Sequence, residues 1–237
     1  MRLQVPQQID KMQWLRRLGY SDEATEQCLA DRGADGNVHA ELVQQMEEAE
    51  RKLIGAASPQ GTFEILGLEE FCFSETPHEC GLLELPGNSI KKHLDGCRQI
   101  ALLAVTLGAG VDRLIRTAQV RDMAEAVILD AGASIMIEQM ADLLQREIMA
   151  EFQTMRYSPG YGDFPLEMQK QLLKALDGPR KIGLTSNESH ILIPRKSITA
   201  IVGIADHPVK GYLATCEECS IREGCRLRAE GKTCNFK

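Results

Sequence analysis

Apolar residues recur with a helical period in two long stretches of the chain. From Ile9 to Leu18 they stand three residues apart and stop at Gly19, which predicts a helical N-terminal arm reaching about residue 55. Between residues 120 and 152 they repeat at intervals of three and four, with apolar neighbours. This second pattern predicts one long helix that is buried on more than one side.

Shorter apolar runs bounded by glycine, proline and serine predict strands. Helices are predicted between them at 89–94 and 166–176, the second stopped by Asp177-Gly178-Pro179. Helices and strands do not alternate in regular βαβ units, so the prediction is an α+β fold with a mainly antiparallel sheet packed against helices. The predicted strands cover 62–73, 79–85, 98–107, Ile182, 190–193 and 197–204.

The pattern divides the chain into three parts. Residues 1–55 form the helical arm, residues 56–213 the main domain, and residues 214–237 a cysteine-rich tail. The main domain holds all the predicted strands, so we expect it to carry the fold.

Charge and hydropathy exclude two classes of partner. The chain has 27 Lys and Arg against 34 Asp and Glu, a net charge of −7, which argues against nucleic acid as a ligand. The longest nearly uncharged apolar run, 100–111, is too short to cross a membrane. We therefore expect a cytoplasmic protein whose eight cysteines are thiols or metal ligands.

The segment RYSPGYG, residues 156–162, is the most informative loop. Gly160 and Gly162 allow the backbone to approach a ligand closely, Arg156 offers a planar fork to a carboxylate, and Tyr161 offers a flat wall. This combination suits a zwitterionic small molecule. The alternative is a structural Pro-Gly turn at the surface.

Glu138 interrupts an apolar stretch of the long helix. A carboxylate in such surroundings needs a partner, and a cationic ammonium or sulfonium would serve. The alternative is a solvated charge ladder, because Glu138, Asp142 and Arg146 stand four residues apart on one helical stripe.

The tail contains four cysteines with the spacing C-x2-C-x5-C-x8-C, which is typical of a metal site. Four thiolates without histidine fit tetrahedral zinc or an iron–sulfur cluster, and four free thiols are the alternative. The predicted metal ligands are Cys216, Cys219, Cys225 and Cys234.

Several motifs together resemble the activation domain of cobalamin-dependent methionine synthase, in its free-standing bacterial form. They are RYSPGYG (156–162), GLTSNES (183–189), PRKS (194–197) with Gly203, and TLGAGVD (106–112). The resemblance is densest over residues 130–213. It implies that Arg156 binds the carboxylate of S-adenosylmethionine, that the Ser158 backbone contacts this ligand, and that Tyr161 lies beside it.

The same resemblance implies two further ligand contacts. Tyr212 falls where the family has a second tyrosine, and Glu138 falls where it has an acid on a helix. The chain departs from the family near Glu138, since it is shorter between helix and loop and has Ser134 in place of an additional aspartate.

The function implied is reactivation of a corrinoid protein. The chain would bind S-adenosylmethionine and support reductive methylation of Co(II) cobalamin held by a partner methionine synthase or corrinoid protein. Flavodoxin or ferredoxin would supply the electron, unless an iron–sulfur cluster in the tail relays it. The alternative is a non-catalytic adaptor that binds zinc or an iron–sulfur cluster and docks on a corrinoid protein.

Overall fold

The computed structural model describes residues 1–30, 38–73, 83–212, 223, 224 and 228. Its helices are α1 (Lys11–Arg17), α2 (Asp22–Ala30), α3 (Val38–Ala56), α4 (Asn88–His93), α5 (Ala109–Arg121), α6 (Met123–Arg146), α7 (Met168–Ala175) and α8 (Gly178–Ile182). Its strands are β1 (Gln60–Gly67), β2 (Phe71–Cys72), β3 (Leu83–Glu84), β4 (Gln99–Thr106), β5 (Phe152–Gln153), β6 (Thr185–Ser186), β7 (Leu192–Ile193) and β8 (Ser197–Ala205).

The main sheet has four strands in the order β1-β4-β8-β5, and every neighbouring pair is antiparallel. The central strands β4 and β8 pair along their whole lengths, from Gln99 opposite Ile204 to Thr106 opposite Ser197. Two small two-stranded sheets, β2-β3 and β6-β7, flank it. The predicted α+β class with a mainly antiparallel sheet is therefore confirmed.

Helices cover both faces of the central strands. On β4, Ala101, Leu103 and Val105 pack into a core with α1, α3, α5 and α6. Ile100, Leu102 and Ala104 point to the opposite core, which α4, α7 and α8 cover. Because successive side chains of a strand point to opposite faces, burial on both sides requires a continuous apolar run. This explains why the sequence of β4 shows no polar alternation.

Helix α6 is the long buried helix that the sequence predicts. Asp122 caps its start, accepting hydrogen bonds from the backbone N–H groups of Ala124 at 2.9 Å and Glu125 at 3.3 Å. At its middle, Gly132 lies against the indole ring of Trp14, whose Nε1 donates to the Ile128 carbonyl at 3.0 Å. The single tryptophan of the chain thus fixes α1 to α6.

The N-terminal helices are part of the larger core. Trp14, Met46 and Leu53 are fully buried together with residues of α6 and the sheet. The predicted helical character of this region is confirmed within the described residues, whereas the division of the chain at residues 55 and 213 stays a prediction.

The sequence-based boundaries were wrong in three places. The long helix predicted over 120–152 begins only at Met123, after α5 ends and Asp122 caps the new helix, and it ends at Arg146. The strand predicted over 62–73 ends at Gly67 and gives way to a 3-10 turn at 68–70. Ile182, predicted to lie in a strand, is the last residue of helix α8. Pro179 does not prevent this helix, because it stands in the first turn, where the backbone N–H has no partner within the helix.

The described helices include none that is both long enough and apolar enough to cross a membrane.

Candidate ligand-binding site

A cavity of about 530 Å³ lies where β8 begins, beyond the residues that pair with β5. Helix α6 forms one wall, and the loop after β5 forms another. Helix α7, β7 and the start of β8 close the remaining sides. The lining residues are Glu138, Asp142, Gln145, Met155, Arg156, Ser158, Tyr161, Gln169, Leu192, Ser197, Ile198 and Thr199.

The guanidinium of Arg156 meets helix α6 inside this cavity. Its Nη1 donates to Asp142 Oδ1 at 2.6 Å and to Gln145 Oε1 at 3.1 Å, and its Nη2 donates to Glu138 Oε2 at 3.0 Å. The arginine side chain is 19% exposed, and those of Glu138 and Asp142 are 57% and 52% exposed. Three of its five N–H groups are used by these contacts. The site therefore holds both signs of charge next to open space.

This arrangement bears on the charge-ladder alternative for Glu138, whose predicted ligand contact stays a prediction. Both Glu138 and Asp142 turn toward Arg156, which comes from a loop on another part of the chain. The two carboxylates therefore form one wall of a cavity, and the charge ladder along α6 does not describe them.

The loop that carries Arg156 is fixed to the edge of the sheet. Tyr157 N donates to the Ile201 carbonyl and Ile201 N donates to the Tyr157 carbonyl, both at 2.8 Å. Gly160, at φ +95°, donates its N–H to the Phe164 carbonyl at 2.8 Å. The backbone is thus held on both sides of Ser158, while the ring of Tyr161 stays 56% exposed at the cavity.

The other end of the loop docks on helix α4. Oxygens of the Asp163 carboxylate accept from the backbone N–H groups of Asn88 at 2.7 Å and Ser89 at 2.9 Å. Burial acts to raise the pKa of Asp163, but these hydrogen bonds outweigh it and the pKa lies below its ordinary value. Gly162, at φ +55°, has no room for a Cβ, which would lie 2.6 Å from Ser89 Oγ and 2.7 Å from the Tyr157 hydroxyl.

A fully buried histidine ties this loop to the end of the main domain. His93 Nε2 lies 3.0 Å from the Met155 carbonyl, which can only accept, so Nε2 carries the proton. In the neutral ring, Nδ1 then accepts from the Tyr212 N–H at 3.0 Å. Burial lowers the pKa of His93 to about 4, although the hydrogen bond to Met155 acts to raise it. The neutral form is therefore the one present near pH 7.

The start of β8 is held against α6 by Lys196. Its Nζ donates to Ser134 Oγ at 2.8 Å and to the Asp130 carbonyl at 2.9 Å, and it lies 2.9 Å from the Asp130 carboxylate. Burial lowers the pKa of Lys196, and the Asp130 carboxylate acts in the opposite direction. Ser134 thus helps to place Ser197 and the following residues at the cavity.

The structure brings together most of the predicted ligand residues. Glu138, Arg156, Ser158 and Tyr161 line the cavity, and Gly160 and Gly162 shape the loop beside it. Tyr212 is not among the lining residues. Its ring lies under the Lys92 ammonium, with Nζ 4.9 Å from the ring centroid, so its predicted ligand contact stays a prediction.

Of the described lining residues, eight were not predicted as ligand residues from the sequence: Asp142, Gln145, Met155, Gln169, Leu192, Ser197, Ile198 and Thr199. Gln145 stands seven residues after Glu138 and could have been found from helical spacing. Gln169 and Thr199 come from α7 and β8, and no local pattern in the sequence links them.

The predicted metal ligands Cys216, Cys219, Cys225 and Cys234 lie outside the described residues. Within the described residues, no group of three or more His, Cys, Asp or Glu side chains could hold a metal ion. The metal-binding tail therefore stays a prediction.

Comparison with known proteins gives a match at the level of structure only. No model of a known protein family matches the chain, and no curated protein matches it. Among solved structures, it is similar to the crystal structure of the MetH reactivation domain bound to AdoHcy, with a TM-score of 0.63 and 17% sequence identity. The match covers 95% of this chain and 82% of that chain.

The chain therefore has the fold of a reactivation domain, and the resemblance found in its motifs is confirmed as a resemblance of fold. At 17% identity the match establishes the architecture alone. Function is therefore inferred from the residues of the cavity.

Proposed function

We propose that this chain binds S-adenosylmethionine and presents its methyl group to a cobalamin held by a partner methionine synthase or corrinoid protein. The observation that carries the proposal is the cavity beside the glycine-tyrosine loop, where Arg156 faces Glu138 and Asp142. A ligand with a carboxylate, an ammonium and a sulfonium matches both signs of charge at this one place.

The residues of the cavity suit the parts of this ligand. The Arg156 guanidinium has N–H groups left for a carboxylate, and Glu138 and Asp142 offer half-exposed negative charge to the ammonium and the sulfonium. The exposed Tyr161 ring offers a flat surface for an aromatic base. The reactivation domain with the same fold was crystallised with AdoHcy, which is the product that S-adenosylmethionine leaves after losing its methyl group.

The reaction that this role serves needs little acid–base chemistry from the chain. Each Co(II) takes up one electron from a separate donor, and the methyl group then passes from sulfur to cobalt as the C–S bond of the sulfonium breaks, so AdoHcy is released. The contribution of the protein is to hold the sulfonium in one orientation next to the partner's cobalt, which lowers the entropic cost of methyl transfer. We propose flavodoxin or ferredoxin as the electron donor.

Calorimetric titration with S-adenosylmethionine and AdoHcy tests the proposal. We expect both to bind the full chain, and we expect Arg156→Ala to abolish measurable binding because it removes the one cation among the described residues of the cavity lining. Arg180→Ala is the matched control, since Arg180 is an exposed arginine on α8 paired with Asp177 at 2.5 Å. Absence of binding by the intact protein would overturn the proposal and favour the non-catalytic adaptor.

We further propose that Cys216, Cys219, Cys225 and Cys234 hold zinc or an iron–sulfur cluster, as their spacing indicates. Protein purified without oxygen should contain stoichiometric zinc, or iron with the brown visible absorption of a cluster. Cys219→Ala should lower the metal content, whereas Cys28→Ala, at a buried cysteine of α2, should leave it unchanged. A colourless protein with zinc removes the electron relay, and a metal-free protein removes the site.

A further inference from the structure

Gln169 is a polar side chain almost enclosed by protein at the wall of the cavity. It stands in the first turn of α7 and is 7% exposed. Its Oε1 accepts a hydrogen bond from the hydroxyl of Thr199, which is 1% exposed on β8. With Oε1 accepting from Thr199, the amide nitrogen is the end turned away from the Thr199 hydroxyl.

The amide nitrogen of Gln169 is left as a donor. Nε2 makes no hydrogen bond to the described part of the chain. It is also absent from the fully buried, unpaired polar atoms of that part, so it keeps some exposure. Nε2 is therefore accessible, and the cavity is the open space beside Gln169. A nearly buried donor in this position matches a hydrogen-bond acceptor on a bound ligand.

The charges of the cavity indicate which half of the ligand this acceptor belongs to. Among the described residues that line the cavity, only Arg156, Glu138 and Asp142 are charged, and they form one ion-paired cluster against α6. The remaining described lining residues are neutral, and Tyr161 and Leu192 contribute apolar surface to the same cavity. A neutral aromatic group with ring nitrogens and hydroxyls fits this part, and the charged amino-acid group fits the cluster.

We infer that Gln169, oriented by Thr199, donates a hydrogen bond to the nucleoside half of the methyl donor and so determines its specificity for an adenosyl group. The inference rests on the proposed function and adds a residue to it. The acceptor is a ring nitrogen of the base or an oxygen of the ribose.

Two ligands separate the two halves of the site. AdoHcy carries both halves, and 5′-methylthioadenosine carries the nucleoside without the carboxylate and ammonium. Gln169→Met keeps the side-chain volume and removes the donor, so we expect it to weaken both ligands about five- to tenfold. Arg156→Ala should abolish measurable binding of AdoHcy and leave the affinity for 5′-methylthioadenosine unchanged. Nucleoside analogues then identify the acceptor. They have N3 or N7 of the base replaced by C–H, or they lack the 2′-hydroxyl. Gln169→Met should not further weaken the analogue that lacks the atom accepting from Gln169.

Thr199→Val is the second variant, and it keeps Gln169 while releasing its orientation. We expect it to weaken both ligands by a smaller factor than Gln169→Met. Trp14 fluorescence and urea titration report whether each variant is folded. Unchanged affinities in both variants, or a loss for AdoHcy alone, would overturn the inference. Failure of the wild-type protein to bind either ligand would instead overturn the proposed function.

Discussion

Arg156 and Glu138 face each other at the cavity wall, with Nη2 and Oε2 3.0 Å apart. The pair joins the loop after β5 to helix α6, and Asp142 completes it from one helical turn further along. A ligand carboxylate that binds Arg156 must use its remaining N–H groups or displace one of these acids. The same acids are then available for the cationic groups of the ligand.

The Glu138 carboxylate should discriminate between the methylated and the demethylated ligand. S-adenosylmethionine carries a sulfonium charge that AdoHcy lacks, so Glu138→Gln should weaken S-adenosylmethionine about tenfold and AdoHcy less. Titration of both ligands measures the ratio. Glu151→Gln, at an exposed acid outside the cavity lining, is the control. Equal losses for both ligands would show that Glu138 does not sense the sulfonium.

Glycine at position 132 should be required by the packing of Trp14 on α6. A Cβ there would lie 2.2 Å from Trp14 Cζ2, so Gly132→Ala should lower the free energy of unfolding by about 1–3 kcal/mol through overpacking. Gly55→Ala is the matched helical control, because a Cβ at Gly55 meets nothing within 4 Å. It should be neutral or slightly stabilising. Urea titration followed by Trp14 fluorescence compares them, and equal stabilities would contradict this packing.

His93 should make the stability depend on pH in a defined window. Burial holds its pKa at about 4 in the folded protein, against an ordinary value of 6.5. The unfolded chain binds the proton first, so the free energy of unfolding should fall by about 3 kcal/mol as the pH drops from about 6.5 to about 4.

Urea titrations over this range should show a shallower pH dependence for His93→Gln than for the wild type, whatever the absolute stability of the variant. Parallel curves would show that His93 is not held neutral. Protonation would also turn Nδ1 into a donor, so the hydrogen bond from the Tyr212 N–H would be lost.

The Asp163 carboxylate should stabilise both α4 and the loop. Asp163→Ala removes the acceptor of two backbone N–H groups and should cost about 1–2 kcal/mol. Because its folded pKa is lowered, its contribution is present above the unfolded pKa and is lost as the pH falls through the folded value. Asp163→Asn keeps one acceptor and should lose less. Differential scanning calorimetry at pH 7 ranks the three proteins, and a variant as stable as the wild type would exclude the capping role.

Local patterns were sufficient for the elements that bury apolar surface. The repeat along α6 and the unbroken apolar run of β4 follow from burial on several sides, and each is visible within its own segment. The predicted boundaries near Asp122 and Pro179 were wrong. Each boundary depends on a single residue, the cap of α6 or the proline in the first turn of α8, and hydrophobic periodicity contains no information about such a residue.

The sequence by itself determined the α+β class, the long buried helix and the residue types of the loop, since residue type and local spacing contain that information. Only the tertiary structure placed Arg156 against Glu138, Gln169 beside Thr199 and the Tyr212 ring under the Lys92 ammonium. The partners of the first two pairs stand 18 and 30 positions apart in the sequence. These relationships arise from helices packing on opposite faces of one sheet, which no local pattern of hydrophobic and polar residues specifies.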